Sequence, residues 1–158
     1  MSLGMMYTAQ FSGVAVSAQQ DLFEVVAPSD AVVILHQLVV SQTTETGDAQ
    51  EEGLLIQLKR GATTSGSSGA SVTPVPLQAG FTAAGSTVEA NNTTKASSGT
   101  IVTLHSEAWN VRAPFVWLPP PEARIVVSPS ARLTVELGTT PNDSITMAGT
   151  LVFEELGG

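Results

Sequence analysis

Residues 145–154, which read ITMAGTLVFE, decide the fold class of this chain. Their large apolar side chains stand at every second position, and a glycine keeps the same register: Ile145, Met147, Gly149, Leu151 and Phe153. The intervening positions include Thr146, Thr150 and Glu154, which are polar. A period of two places one side of a strand in a core and the other in solvent. The stretch therefore predicts a half-buried β-strand.

The same period recurs along the chain. It is clearest over 54–58 and 133–137, where leucine, isoleucine and valine alternate with other residues. The pattern predicts strands at 7–16, 22–26, 31–42, 54–60, 87–91, 100–111, 115–118, 124–127, 131–137 and 144–155. Residues typical of turns separate them at 28–30, 46–48, 128–130 and 140–143. Eight to ten strands without an amphipathic helix predict one all-β domain over 1–158, an antiparallel β-sandwich or a barrel.

Two long loops and an arm complete this organisation. Residues 61–73, which read GATTSGSSGASVT, are expected to form a mobile excursion from the sandwich. Residues 80–99 are also poor in large apolar side chains and are expected to form a second long loop. Residues 1–6 are uncharged and carry several large apolar side chains. They are expected to form a flexible N-terminal arm for a partner or a neighbouring subunit to cover, and an ordinary first strand with a frayed start is the alternative.

The composition excludes several classes of function. The chain has 158 residues, a net charge of −8, six Lys and Arg, and no cysteine. Nucleic-acid binding requires a basic stripe, and anionic lipid requires basic residues, so neither partner is expected. The first ten residues do not resemble a signal peptide, and the longest apolar run, 31–35, is too short to cross a bilayer. Only 13% of residues are charged, which suits a surface covered by other proteins.

No catalytic motif or cofactor motif is present, and we expect neither an enzyme nor a cofactor. His36 and His105 would approach each other if their strands paired, with Glu107 as the nearest third metal ligand. Histidines satisfied by local hydrogen bonds are the favoured alternative. An acidic loop contains Glu45, Asp48, Glu51 and Glu52, but its spacing lacks the alternating ligands of a calcium loop. A solvated hairpin tip is therefore favoured, and no metal site is predicted.

Residues 109–121, which read WNVRAPFVWLPPP, form the most distinctive segment. The three prolines must be extended and lack amide donors, so they belong at a surface or a sheet edge. Rigid aromatic side chains beside an ordered segment are typical of binding anchors. Capping of the core by the tryptophans is an equally weighted alternative. The candidate interface residues are Met5, Met6, Tyr7, Trp109, Phe115, Trp117, Pro119, Pro120 and Pro121.

The chain resembles the jelly-roll decoration, or cement, proteins of tailed-bacteriophage heads. The resemblance lies in an acidic, cysteine-free β-domain rich in Ser and Thr, its long loops, its apolar N-terminal arm and its aromatic-proline edge at 115–121. It implies a jelly-roll sandwich and a homotrimer bound to the major capsid protein or another virion protein. It also implies a place on the capsid surface, after synthesis in the host cytoplasm. Tail-associated or fibre-associated domains and carbohydrate-binding modules are alternatives, and a cupin-like enzyme is a more distant one.

Overall fold

The computed structural model describes residues 4–44 and 51–157 of the chain. Within these ranges the backbone forms twelve strands, a 3-10 turn at Pro121–Ala123, and no α-helix. The strands are β1 (Met5–Val16), β2 (Gln20–Val26), β3 (Ala31–Gln42), β4 (Gly53–Thr64), β5 (Ala70–Val72), β6 (Val75–Pro76), β7 (Thr87–Asn92), β8 (Ser97–Asn110), β9 (Phe115–Trp117), β10 (Val126–Val127), β11 (Arg132–Leu137) and β12 (Ile145–Gly157).

The strands form two antiparallel sheets that pack against each other. Sheet A has the order β10-β3-β12-β1-β6, and β9 also pairs with β3. Sheet B has the order β5-β7-β2-β11-β4-β8. The fold is therefore an all-β antiparallel sandwich, as the alternating pattern predicts.

The strand pairing is nested along the chain. In sheet A, β1 pairs with β12, and β3 pairs with β9 and β10. In sheet B, β2 pairs with β11, and β4 pairs with β8. Early strands thus pair with late ones, and the short strands β5 to β7 extend the two sheets on one narrow side.

The core lies between the sheets and is formed by one parity of each central strand. The Tyr7 and Phe153 rings stack with centroids 5.8 Å apart, and the Phe11 and Phe23 rings lie 5.2 Å apart. Gly149 explains the interruption in the apolar alternation of β12. A Cβ atom there would lie 2.6 Å from the Phe11 ring, so the sheet accommodates this ring only opposite a glycine.

Prolines divide the outer edge of sheet A into two short strands. Leu38 pairs with Trp117 in β9, and Ile34 pairs with Val126 in β10, so both short strands follow the same edge of β3. Residues 119–121 lie between them, where three prolines cannot donate hydrogen bonds to β3. The proline segment therefore lies at the surface beside a sheet edge, as its composition predicts.

Two expectations about irregular segments are wrong. Met5 and Met6 belong to β1 and pair with Glu155 and Glu154, so the expected flexible arm is replaced by strand from Met5 onward. Residues 1–3 lie outside the described residues. The expected mobile loop 61–73 is largely ordered by pairing: β4 extends to Thr64, Ser67 bridges to Thr94, and β5 pairs with β7.

Candidate interaction surface

The outer face of sheet A is broad and weakly charged. Residues that pair directly across antiparallel strands lie on the same face of a sheet. The pairings align Val126, Ile34, Glu154 and Met6 in one row across four strands. A second row consists of Val116, Val39, Thr150 and Gln10. We call these two rows, together with Val32, Val75, Val152 and Leu156, the sheet A outer face.

Several apolar side chains on this face are exposed. Val75 is 57% exposed, Val116 and Val126 are each 52% exposed, and Leu156 is 40% exposed. Ile34 and Val39 lie between them and are half-buried. Gln10, Thr150 and the His36–Glu154 pair interrupt these apolar side chains, so the face is partly apolar. Exposed apolar patches are typical of interaction sites.

Charge on the sheet A outer face is confined to one pair. None of the six Lys and Arg residues belongs to a strand of sheet A. His36 Nε2 lies 2.9 Å from the Glu154 carboxylate near the middle of the face. Because the carboxylate already has a partner within the chain, its burial against another protein would cost less than burial of an isolated charge.

The outer face of sheet B differs around Glu24, because the chain itself covers it there, whereas β8 at the edge of this sheet is exposed. Glu24 is only 1% exposed, although its place in an alternating strand predicts a solvent-facing side chain. Its carboxylate accepts hydrogen bonds from Ser65 Oγ, the Gly66 amide, Asn92 Nδ2 and Arg132 Nε. The segment that follows β4 is thus held over sheet B by a buried carboxylate.

Two further acids belong to this polar cluster, and the pKa values of their carboxyl groups are shifted in opposite directions. Burial raises the pKa of Asp21 from 3.8 to about 6, although its carboxylate accepts a hydrogen bond from the Ala96 amide. Burial also raises the pKa of Glu136, but hydrogen bonds from Lys59 and Lys95 outweigh it and lower the pKa below 4.5. A cluster of acids and bases paired in this way holds the loops in place.

The aromatic candidates for the interface lie in the core instead. Tyr7 is 1% exposed, Phe115 2%, Trp109 5% and Trp117 7%. Each takes the inward parity of its strand; Trp109, for example, pairs with the buried Leu54. The prediction that these four rings form a free binding surface is therefore wrong, and capping of the core is the correct alternative.

The remaining interface candidates lie at or near the surface. Met5 and Met6 are half-buried in β1, and Met6 belongs to the sheet A outer face. Pro119 is half-buried, and Pro120 and Pro121 are exposed. Leu118, beside them, is 69% exposed and is the most exposed of the large apolar side chains in the described ranges.

The two histidines lie in different sheets and contact different carboxylates. His36 in β3 contacts Glu154, and His105 in β8 lies 3.2 Å from Glu107. Their strands do not pair, so the condition for a shared metal site is not met. Within residues 4–44 and 51–157, no group of three His, Asp or Glu side chains could hold a metal ion.

Most of the acidic loop considered for calcium, residues 45–50, lies outside the described residues. Of its four acids, Glu51 and Glu52 are described. Glu52 accepts a hydrogen bond from the Asn142 amide, and Glu51 lies 3.5 Å from Asn110 Nδ2. Each of these two carboxylates therefore has a partner elsewhere in the chain.

The apolar residues of the sheet A outer face are visible in the sequences of β3 and β12, although no single motif contains them. β3, which reads AVVILHQLVVSQ, carries apolar residues at both parities, and β12 carries Val152 and Leu156 at the polar parity. Strands that are apolar on both sides are typical of sheets covered on both faces. Within the described ranges of this single chain, only the inner face of sheet A is covered.

Comparisons with known proteins name no relative for this chain. No protein-family model matches it, and no curated protein matches it. A chain from a solved structure described as "Structure of infectious bursal disease virus Gx strain" is 14% identical, with a TM-score of 0.13. The match covers 99% of this chain and 40% of that chain. A TM-score this low supports no argument about fold or function. In the described part of the chain, no helix is long and apolar enough to cross a membrane.

Proposed function

We propose that this chain is a non-catalytic structural protein of a virion, which binds an assembled phage capsid and stabilises it as a decoration protein. The observation that carries the proposal is the sheet A outer face, a broad and partly apolar surface whose strands contain no Lys or Arg. On sheet B, the outer face is covered by the chain around Glu24, the acids there are paired, and the exposed large apolar side chains among the described residues lie in β8. One uncovered face and one partly covered face suit a protein that sits flat on a larger surface.

The physical chemistry of such a face fits attachment to a shell. Interfaces are most often depleted of charged residues at their centre and rich in apolar contacts. A protein that binds assembled shell and not free subunits stabilises the shell by mass action, without any chemical step. Because many copies bind one shell, modest affinity per copy is sufficient. The partner in this proposal is the major capsid protein or another virion protein, and the location is the capsid surface.

The proposal includes a jelly-roll connectivity and a homo-oligomer, for which we favour a trimer. In support of the first, eight strands alternate between the sheets and pair first with last: β1 with β12, β2 with β11, β3 with the β9–β10 edge, and β4 with β8. Jelly rolls have this nested order of eight strands in two sheets. Attachment to a tail or fibre is the nearest alternative and would use the same face.

The aromatic side chains that would support the carbohydrate-binding alternative are buried. Such a site needs exposed aromatic platforms, and both tryptophans and the tyrosine are at least 93% buried, since Trp117, the most exposed of them, is 7% exposed. The two histidines that a cupin-like metal centre would use lie in different sheets and contact different carboxylates. No observation favours either function over binding through the sheet A outer face.

A charge placed in the middle of the sheet A outer face tests the proposal. Thr150 is exposed on the central strand β12, so Thr150→Asp adds a carboxylate without altering the core. Thr87→Asp on the outer face of sheet B is the matched control, because Thr87 is also an exposed strand threonine. The assay is cosedimentation with assembled shells of the virus that encodes the chain, alongside unassembled shell subunits.

We expect wild type and Thr87→Asp to sediment with assembled shells and not to bind free subunits. Thr150→Asp should lose at least about tenfold in affinity, because a lone carboxylate would be desolvated in the contact. Equal binding by Thr150→Asp and wild type would exclude the sheet A outer face as the attachment site. Absence of wild-type binding to assembled shells would refute the decoration function itself.

A further inference from the structure

Strand β8 forms an unprotected edge of sheet B. It runs from Ser97 to Asn110 and pairs on one side with β4, and within the described ranges no strand pairs with its other side. The other sheet edges are the short strands β5, β6, β9 and β10, and prolines lie in β6 and between β9 and β10. Short strands and prolines at an edge prevent pairing with another chain. β8 has 14 residues and contains neither Lys nor Pro.

β8 also exposes apolar side chains and carries little charge. Ile101 is 44% exposed, Val102 is 40% exposed and Leu104 is 38% exposed. The only ionisable side chains of β8 are His105 and Glu107, which lie 3.2 Å apart in the same chain. A long, apolar and nearly uncharged edge strand is suited to pairing with a strand of another chain.

The hydrogen bonds to β4 show which backbone groups of β8 face its free edge. The Val111 amide donates to Glu52 O, so Val111 faces the β4 side. Consecutive residues of a strand direct their backbone groups to alternate sides. Because residues 105–110 pair with β4 in a regular register, the amides and carbonyls of Ala108 and Ser106 face the free edge.

A β-bulge interrupts the pairing of β8 with β4. His105 pairs with Leu58 and Thr103 pairs with Lys59, so Leu104 between them has no partner in β4. A bulge inserts one extra residue, and it shifts the alternation beyond it by one position. The edge of β8 is therefore irregular at Leu104.

On the far side of the bulge, Thr103 faces the free edge. Leu55 O accepts a hydrogen bond from the Gly138 amide, so Leu55 faces β11. Lys59 also faces β11, because it stands four residues further along the same strand, and its partner Thr103 is therefore directed away from β4. The free backbone groups of Thr103 and Ser106 are thus three residues apart, whereas a regular strand presents such groups at every second residue.

We infer that β8 pairs with β8 of a second copy in an antiparallel, two-fold contact, in which Thr103 of each copy lies opposite Ser106 of the other copy. A regular strand of another protein would match one of these two positions and miss the other. A second β8 has the same three-residue spacing in the reverse direction, so it matches both positions. Each matched pair then exchanges two backbone hydrogen bonds. This self-complementarity is the reason for choosing a second copy as the partner of the edge.

The remaining residues of β8 fit this register. Val102 lies opposite Glu107 of the other copy, and Ile101 lies opposite Ala108, so no like charges meet. Val102 and Glu107 both align through β4 with core residues of β11 and therefore share the inward parity. Thr103 and Ser106 share the outward parity. Residues that lie opposite each other in an antiparallel pair must belong to the same face, and this register meets that condition.

The contact deepens the homo-oligomer of the proposed function and joins two copies of sheet B into one sheet. Because inward residues lie opposite inward residues, the two-fold axis is normal to the sheets, and both sheet A outer faces point to the same side. If the proposed function holds, both copies bind one shell together, which raises their combined affinity. A two-fold contact of this kind forms a dimer, whereas the favoured trimer rests on the resemblance to decoration proteins.

The test measures masses in solution, by light scattering after size exclusion, for wild type and four double variants. Three of them place charges at the exposed opposed positions: a two-Asp variant (Thr103→Asp, Ser106→Asp), a two-Lys variant (Thr103→Lys, Ser106→Lys) and an Asp–Lys variant (Thr103→Asp, Ser106→Lys). The control is Thr73→Asp with Thr87→Asp, which adds two acids at exposed positions after β5 and in β7, away from β8. Circular dichroism verifies that each variant is folded.

We expect wild type and the control to have twice the 16.3 kDa mass of the chain. The two-Asp and two-Lys variants should be monomeric, or dimerise only at concentrations at least about tenfold higher, because like charges lie opposite each other in their contacts. The Asp–Lys variant should remain a dimer, since each new Asp lies opposite a new Lys. For the same reason, an equal mixture of the two-Asp and two-Lys variants should form a one-to-one dimer.

A wild type that is a trimer, or a monomer at every concentration, would overturn the inference. So would a two-Asp variant that dimerises like wild type, or a folded Asp–Lys variant that is monomeric. If the two-Lys variant does not fold, the comparison of the two-Asp and Asp–Lys variants still decides.

Cosedimentation with assembled shells separates this inference from the proposed function. A monomeric wild type that binds shells would overturn the dimer and leave the proposed function standing. If its shell binding were also lost in the two-Asp variant, the partner of β8 would be a strand of the shell protein. Dimers that do not bind shells would support the contact and refute the proposed function.

Discussion

Replacing Asp21 by asparagine should stabilise the protein at neutral pH and not in acid. Asp21 is 1% exposed on β2, and the pKa of its carboxyl is raised from 3.8 to about 6 by burial first, with Glu136 and Glu24 adding to the rise. The folded protein therefore holds this proton more tightly than the unfolded chain does. The protonated Asp21 carboxyl therefore contributes to the free energy of unfolding. This contribution is fully present below pH 3.8 and is lost as the pH rises through about 6.

The size of this effect follows from the shift in pKa. A change of one pKa unit corresponds to about 1.4 kcal/mol, so a rise from 3.8 to about 6 gives about 3 kcal/mol at pH 7. The substituted asparagine side chain would carry no charge at any pH, and its oxygen can still accept from the Ala96 amide. We therefore expect Asp21→Asn to exceed wild type by up to about 3 kcal/mol at pH 7, with the gap closing near pH 4.

Urea unfolding at several pH values between 4 and 7 measures this gap, with the fluorescence of the buried tryptophans as the signal. Asp143→Asn is the control, because Asp143 is exposed in a loop and its replacement should change stability by less than about 0.5 kcal/mol. A gap between Asp21→Asn and wild type that stays constant from pH 4 to pH 7 would refute the reasoning. So would a variant that is less stable than wild type at pH 7.

Three further predictions concern the rest of the fold. Glu24→Ala should lower the free energy of unfolding in urea by about 3–5 kcal/mol, because Arg132 and two amide donors lose a buried acceptor; a loss below about 1 kcal/mol would contradict this. Gly149→Ala should cost about 1–3 kcal/mol in the same assay, since the added methyl group meets the Phe11 ring, and an unchanged midpoint would show that the ring can move aside. Both tryptophans should emit at short wavelength and resist quenching by acrylamide in the folded protein, whereas solvent-like emission would place them at the surface.

The strands could be predicted because the period of two is strong wherever one face of a strand meets the core. β3 lies at Ala31–Gln42, as predicted, and the other predicted strands shift by a few residues at their ends. β5 and β6 could not be predicted, since Ala70–Val72 and Val75–Pro76 are short and lie in a stretch rich in Gly, Ser and Pro. Their pairing depends on distant strands, which local composition does not report.

The candidate site could be predicted only in part. The alternation predicts a strand at 22–26, which β2 contains, but it cannot show that another segment of the chain covers the Glu24 side chain. The aromatic residues illustrate the opposite error. Trp109 and Trp117 are of a residue type common at binding sites, yet both have the inward parity of their strands. Phe81 lies in a segment of small residues whose sequence does not indicate that its ring is exposed.

The nesting of first and last strands bears on when the protein becomes functional during its synthesis. β12 lies between β1 and β3 in sheet A. Residues of β1 such as Met5 are therefore paired on that side only after β12, which contains Glu155, has been synthesised. Contacts between residues so distant along the chain form slowly, because the chain entropy of closing the loop opposes them. The central rows of the sheet A outer face do not exist until β12 is inserted. A nascent or truncated chain without β12 therefore lacks the surface through which we propose that the protein binds a shell.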